Sequence, residues 1–280
     1  MNQTLRIGKI TFLNHAPVYR ELERLCAGGA YEFVGGHPAE LNRMLQSGSI
    51  QISASSSIQY LRDTATYTYL PGHSISARGP VQSILLFSRM PIEDIIGLPI
   101  VVTHQSETSV ALLDVLLKEF YGFSCELKVS PDPFEQAMQD HAAYLSIGDE
   151  ALRARARAHV MDTGEQTIYT VCTIDHQAYY CYDLSTLWFH HTGKPFVFAL
   201  WTLRRSLLTT HASEVERFTA LLDQALAAAL ANLADTARAT GSFMTSDELL
   251  RYWQMITYGL PPDCVEGLEL FRRLIARHRA

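Results

Sequence analysis

Along the first 90 residues the spacing of apolar positions switches back and forth between two periods, and each switch marks an element. Leu5 to Ile10 reads as a strand, Val18 to Cys26 as a helix-like segment and Tyr31 to Val34 as a second strand. Pro38 to Ser47 is a well-punctuated helix: Pro38 suits a first turn, Leu41, Met44 and Leu45 form one apolar stripe, and Gly48 is a natural stop. Ile50 to Ala54 then predicts a strand, and the run Ser55, Ser56, Ser57 offers caps for a helix carrying Ile58, Tyr60 and Leu61. This β-α-β-α order predicts a parallel sheet.

After the apolar run Ile84 to Ser88 the pattern restarts, with strands at Pro99 to Thr103, Glu126 to Ser130 and Ala143 to Ile147 and helices at Thr108 to Tyr121 and Phe134 to Asp140. Pro195 to Trp201 is too short to span a bilayer and rich in β-formers, so it reads as a buried return strand. Beyond it the stripes Phe218, Leu221, Leu222, Leu226, then Leu249, Leu250, Trp253, Ile256, then Leu268, Phe271, Ile275 predict a wholly helical tail. Two extended apolar segments bracket the middle unit, as expected if two strands cross between a discontinuous lobe and an inserted one. The expected division is residues 1–88 with 200–280, and residues 89–199, with a ligand cleft between the lobes.

Length agrees with this: 280 residues exceed most single cores, at roughly 100 to 200 residues per domain. The chain carries 23 basic and 29 acidic residues, net charge -6, and lacks the positive footprint that nucleic-acid backbones require. An anionic ligand would need local positive potential. The start Met1 to Ile7 has neither the basic head nor the apolar core of an export signal, and no apolar run reaches membrane-spanning length, so a cytoplasmic protein with no membrane partner is expected. Cys26, Cys125, Cys172, Cys181 and Cys264 are scattered and never at a CxxC spacing, and are read as reduced and packed.

Candidate chemistry lies where strands hand over to helices. Ser106, Thr108 and Ser109 sit at a helix start, where free N–H groups and the helix dipole attract an anion; capping alone explains one hydroxyl, and both readings stand. Asn14, in the loop after the first strand, offers a donor and an acceptor, or stabilises the turn before Pro17. Ser56 and Ser57 exceed what one cap needs, His73 to Ser83 leads into a crossing segment, and Gly148 with Asp149 ends a strand where a small residue admits close backbone approach. The eleven His include no HExxH, and His190 with His191 cannot share a site if extended, so no metal is expected. GxGxxG, GxxxxGK[ST] and GxSxG are missing, and no carboxylate pair stands out for acid-base work.

Several segments, taken in order, resemble the menaquinone-biosynthesis family that includes chorismate dehydratase. They are Arg6-Ile7-Gly8 with Phe12-Leu13-Asn14, Gly48 to Ser57, Ser74-Ile75-Ser76 with Gly79 to Ser83, Ser106 with Thr108 to Val110, Ile147 to Leu152, Asp183-Leu184 with Trp188, and Thr192 to Ala199. Each is weak alone; the ordered set over about the first 200 residues is specific, and the tail matches only in character. The resemblance implies an α/β, type 2 periplasmic-binding-protein-like fold, with two three-layer lobes joined by two crossing strands and the C-terminal helices on the first lobe. It implies a hydro-lyase of the futalosine route that converts chorismate to 3-(1-carboxyvinyloxy)benzoate and water with no metal or organic cofactor.

By the same resemblance Asn14 and Ser83 are the catalytic pair, while Ser56, Ser57, Ser106, Thr108, Ser109, Gly148 and Asp149 contact substrate. Lys194 stands where Arg is commoner in the family, which leaves its role open. Three rivals remain: a 1,4-dihydroxy-6-naphthoate synthase-like enzyme of the same pathway, a non-catalytic small-anion binder, and a transcription factor's sensing domain. The last would need a helix-turn-helix, and none precedes the first strand. Monomer and homodimer are both compatible with the sequence.

Overall fold

The computed structural model describes residues 4–29, 31–161 and 168–279. Met1 to Gln3, at the head of the segment read for an export signal, lie outside the described residues. Strand β1 (Leu5–Ile10) is followed by helix α1 (Ala16–Leu25), β2 (Tyr31–Gly36), α2 (Pro38–Ser47), β3 (Ile52–Ser56), the short α3 (Ser57–Arg62) and β4 (Tyr67–Ala77). The punctuation of α2 is as expected, with Gly48 left-handed at φ 79 and closing the last turn onto the Leu45 carbonyl. The strand β3 starts and ends two residues later than its apolar run suggested, because Ser53, Ser55 and Ser56 are themselves buried in the sheet.

The second stretch holds β5 (Ile84–Ser88), β6 (Ile100–Thr103), α4 (Thr108–Phe120), β7 (Leu127–Ser130), α5 (Phe134–Asp140), β8 (Ala143–Ile147) and α6 (Gly148–Arg157). It continues with β9 (His159–Met161), β10 (Thr170–Ile174), β11 (Gln177–Asp183), α7 (Leu184–Thr192) and β12 (Phe196–Arg204). His190 and His191, considered above as extended, lie in α7.

The tail comprises α8 (Leu207–Thr210), α9 (Ala212–Ala231), α10 (Leu233–Ala239), α11 (Ser246–Met255), β13 (Ile256–Gly259) and α12 (Pro262–Arg279). The expectation of a wholly helical tail is therefore corrected at Ile256. Ile256, Thr257 and Tyr258 are β-formers ahead of Gly259, and they add an edge strand to the first sheet instead of extending α11.

The chain divides into two compact units, residues 1–76 with 197–261, and residues 77–196 with 262–280. In the first unit the strand order is β13-β4-β12-β3-β1-β2. β1 runs parallel to β2 and β3, while β12 is antiparallel to β3. In the second the order is β7-β6-β8-β5-β11-β10-β9, parallel among β7, β6 and β8 and antiparallel from β5 onward. Two boundaries differ from the sequence expectation. Strand β5 pairs with β8 and β11 inside the second sheet, and α12 packs on α4 in the second unit instead of joining the other tail helices in the first. Both segments are apolar enough for either core, so only pairing decides their address.

The apolar stripes do bury. Helix α9 turns Val215, Phe218, Leu222 and Ala225 inward, and α12 buries Leu268 and Phe271, the latter edge-on to Trp188 and Phe196. All five cysteines are free thiols, and Cys125 alone among them is not buried.

Candidate active site

Each unit gathers its own candidates at one sheet edge. In the first unit β1 and β3 are parallel, with Gly8 opposite Ser53, so the turn after β1 and the start of α3 emerge at the same edge. That edge carries Asn14 and Ser56 with Ser57. In the second unit β6 and β8 are parallel, and β5 and β11 run opposite to them. The ends of β6, β8 and β11 and the start of β5 therefore coincide, which brings together Ser106 to Ser109, Gly148 with Asp149, Ser83 and Asp183.

Asn14 lies in a single 3-10 turn, Leu13–His15, and is half-buried. The tail braces this turn: Trp253 Nε1 donates to the Leu13 carbonyl at 2.8 Å and Tyr258 Oη to the Asn14 carbonyl at 2.9 Å. Burial holds the Tyr258 hydroxyl well above its ordinary pKa, so it remains a donor. Asn14 Oδ1 lies 2.6 Å from Nδ1 of the buried His15. Burial pulls the pKa of that imidazole down to about 3, so the ring is neutral. An amide oxygen only accepts, which assigns the ring proton to Nδ1.

Ser57 is not placed as expected for a ligand contact. It is fully buried, and its hydroxyl donates to the Val197 carbonyl at 2.7 Å. Ser56 occupies the N-cap position without a side-chain capping bond, so the capping role expected of the serine run is unfilled. Ser74 and Ser76, from the fourth candidate segment, direct their hydroxyls to the β13 carbonyls of Gly259 and Thr257. They tie the edge strand to the sheet.

In the second unit the backbone N–H of Gly148 donates to the Ser83 carbonyl at 2.7 Å, and Gly148 has φ 60, so it turns the chain into α6 in a conformation that disfavours a side chain. Ser83 is buried, with its hydroxyl 3.4 Å from the Val81 carbonyl, a long bond that leaves it available. Ser106 Oγ donates to Ser109 Oγ at 3.0 Å and accepts from the Ser109 N–H at 3.2 Å, which is a local cap of α4. Thr108 is buried beside it, and Asp149 is half-buried in the first turn of α6.

Asp183 is the residue that sequence reasoning quoted but did not place in the site. Its Oδ2 accepts from the N–H groups of Val81 and Gln82 at 2.9 and 2.7 Å, and its Oδ1 from those of Ser185 and Thr186 at 3.0 and 3.1 Å. One carboxylate thus caps α7 and clamps the loop that delivers Ser83. Burial pushes its pKa up, opposed by those four N–H bonds. The signal was legible as Asp before Leu-Ser-Thr, an N-cap pattern; its second pair of partners was not.

A cavity of about 240 Å³ opens beside this loop, lined among others by Gln82, Arg155, Tyr169, Asp183 and Thr186. Arg155 supplies there the local positive charge that the acidic chain lacks overall. Lys194, whose role was open, pairs with Glu266 on α12. Among the described residues no three His, Cys, Asp or Glu side chains gather as a metal site, and no helix is long and apolar enough to cross a membrane.

A family model described as menaquinone biosynthesis matches residues 5–277. The chain belongs to that family. The chorismate dehydratase of Thermus thermophilus is 34% identical over 199 residues, 71% of this chain and 69% of that protein. A crystal structure of an Archaeoglobus fulgidus protein matches with TM-score 0.72 at 17% identity, covering 98% of this chain and 97% of that one. The alkanesulfonate-binding protein SsuA of Xanthomonas axonopodis pv. citri bound to MOPS gives 0.66 at 16% identity, covering 98% and 93%. A Candida albicans gene product described as having the generic periplasmic binding protein structural fold gives 0.61 at 9%, covering 98% and 90%. At such identities the likeness is one of fold, and it is the fold that the ordered motifs of this menaquinone-biosynthesis protein implied.

Proposed function

We propose that this protein is a cytoplasmic chorismate dehydratase, a hydro-lyase of the futalosine branch of menaquinone biosynthesis. The observation that carries the reading is the 34% identity to a chorismate dehydratase, together with the family match over residues 5–277.

The chemistry asks for little beyond positioned donors. The ring carboxylate of chorismate acidifies, through the conjugated double bond, the hydrogen on the ring carbon that bears the enolpyruvyl ether. Removing that proton builds charge on the ring carboxylate, and hydrogen bonds that tighten there lower the barrier. The substrate's own enolpyruvyl carboxylate takes the proton. The C–O bond of the neighbouring hydroxyl then breaks, hydroxide leaves and collects a proton to become water, and the ring becomes aromatic. Holding the substrate in the conformer that lets its own carboxylate reach the hydrogen supplies much of the rate.

Ser106, Thr108 and Ser109 at the start of α4 are assigned to the ring carboxylate, with Ser56, Gly148 and Asp149 as further contacts. Asn14 and Ser83 orient the enolpyruvyl carboxylate and the departing hydroxyl. Ser57 keeps its place in this set only through its position at the edge, since its hydroxyl proton is engaged by Val197.

The test is incubation of purified protein with chorismate, followed by ultraviolet spectroscopy and mass spectrometry. An aromatic spectrum and the loss of one water are expected. Unchanged chorismate across a range of pH overturns the enzyme reading and returns the protein to the small-anion binders.

A further inference from the structure

His15 is a costly residue for its place. It is 3% exposed, its ring stacks at a tilt against Tyr19 with centroids 6.0 Å apart, and its Nε2 is buried without a hydrogen-bond partner. An unpaired buried acceptor is destabilising, and a phenyl or leucyl group in the same space would avoid that cost. What the imidazole does that those groups cannot is donate from Nδ1 to Asn14 Oδ1 at 2.6 Å.

The torsion that orients an asparagine amide is soft and nearly two-fold, so an unrestrained Asn14 would present its oxygen and its NH2 outward about equally. With Oδ1 held against the ring, the amide turns its Nδ2 hydrogens away from His15. We propose that His15 is the positioning residue for Asn14, locking the amide so that its NH2 group donates to the enolpyruvyl carboxylate of the substrate. This rests on the reading of Asn14 as a substrate contact, and it gives that contact a sense: toward the substrate Asn14 donates from Nδ2, while its Oδ1 accepts from His15.

The geometry sets which replacements rescue. An Asn at position 15 carries its NH2 where the imidazole has Nδ1, a Gln carries it near Nε2, and a Leu fills the space with no donor. The experiment compares kcat and KM for chorismate in the wild-type protein, His15→Asn, His15→Gln, His15→Leu and Asn14→Ala, each checked for a native circular-dichroism spectrum. A mispositioned donor weakens the transition state more than the bound substrate. The expected result for His15→Leu and His15→Gln is a fall in kcat of about 10-fold or more, with KM within about 3-fold, and for His15→Asn a kcat within about 3-fold of wild type. Wild-type kcat in folded His15→Leu, or a failure of folded His15→Asn to restore it, overturns the proposal.

A second measurement needs no turnover. Long-range nitrogen-proton correlation spectra of the histidines should show His15 neutral, with its proton on Nδ1 and no titration between about pH 5 and 8. The Asn14 side-chain amide signals should shift in His15→Leu. A proton on Nε2, or Asn14 signals indifferent to His15→Leu, refutes the positioning role even if the enzyme is active. Inactive wild-type protein with the Nδ1 tautomer and the amide shift intact refutes the proposed reaction alone.

Discussion

The backbone N–H of Gln82 donates to Asp183 Oδ2 at 2.7 Å while Gln82 itself holds a left-handed backbone, φ 62. A residue with a Cβ in that region stores about 1 kcal/mol or more of strain, kept only because its surroundings over-determine it. Here the clamp is the Asp183 carboxylate, and what it aims is the next residue, Ser83.

Replacing Asp183 by Asn should therefore hurt twice. The amide nitrogen would face two of the backbone N–H groups that the carboxylate now accepts, leaving buried donors unpaired at a cost of roughly 1–3 kcal/mol each. A thermal midpoint lowered by several degrees, with kcat for chorismate reduced more than KM is raised, is the expected outcome. Gln82→Gly relieves the strain and should stay within about 1 kcal/mol of wild type in urea unfolding, whereas Gln82→Val should lose about 2 kcal/mol.

Ser57 and Ser83 differ in a way that their shared hydroxyl conceals. Ser57→Ala removes the bond to the Val197 carbonyl and should cost about 1 kcal/mol of stability with kcat and KM nearly unchanged. Ser83→Ala removes a hydroxyl with only a long internal contact, and should lower kcat by two orders of magnitude or more, in the range of about 10²- to 10³-fold for a lost transition-state donor, at near wild-type stability. Equal kinetic losses from the two would contradict the site as drawn.

Gly267 marks where α12 presses closest on the strand entry. A Cβ built there lies 2.1 Å from the Pro195 carbonyl oxygen, which is backbone and cannot step aside. Alanine is the better helix former by about 1 kcal/mol, so an exposed site would gain from the change. At this one the clash prevails, and Gly267→Ala should lose about 2 kcal/mol or more, read from the urea midpoint. Lys194→Ala, which breaks the neighbouring pair with Glu266 near the surface, should cost less than about 1 kcal/mol.

Stability should fall on acidification below the ordinary histidine range. The imidazole of His15 binds its proton with a pKa of about 3 in the fold against about 6.5 in the unfolded chain, so the unfolded state takes up more protons between those values. Its contribution is fully present above about pH 6.5 and is lost as pH falls toward 3, at a slope on the order of 1 kcal/mol per pH unit. His73 and His191, also pulled down mainly by burial, act in the same direction. Urea midpoints measured from pH 7.5 down to 4.5 should show a shallower decline for His15→Asn than for wild type.

How far the sequence reached can be seen at individual residues. The helix at Pro38 to Ser47 and the strand at Ala143 to Ile147 were legible because their signals are local: a stripe, a proline, a glycine, a run of β-formers bounded by polar turns. The antiparallel strands β9, β10 and β11 were not drawn from the sequence, because short half-buried strands of mixed polarity such as Thr170–Ile174 carry no clear period. Asn14, Ser83 and the serines of α4 were found through ordered resemblance; of the partners that hold them, His15 is the chain neighbour of Asn14, whereas Asp183, Trp253 and Tyr258 are given by contacts that skip across the chain.

The sequence by itself determined the α/β class, the kinship and the identity of the candidate residues, since hydrophobic period, turn chemistry and ordered motifs are all local properties of a chain. Tertiary structure decided the rest. It placed β5 in the second sheet and α12 on α4, spent the Ser57 hydroxyl on Val197, turned the tail into the brace of the Asn14 turn, and gave the Asp183 carboxylate a second duty. For the apolar segments the reason is that either core would take them, and for the polar ones that a buried polar group must find its partner wherever the fold brings one; no spacing along the chain records either.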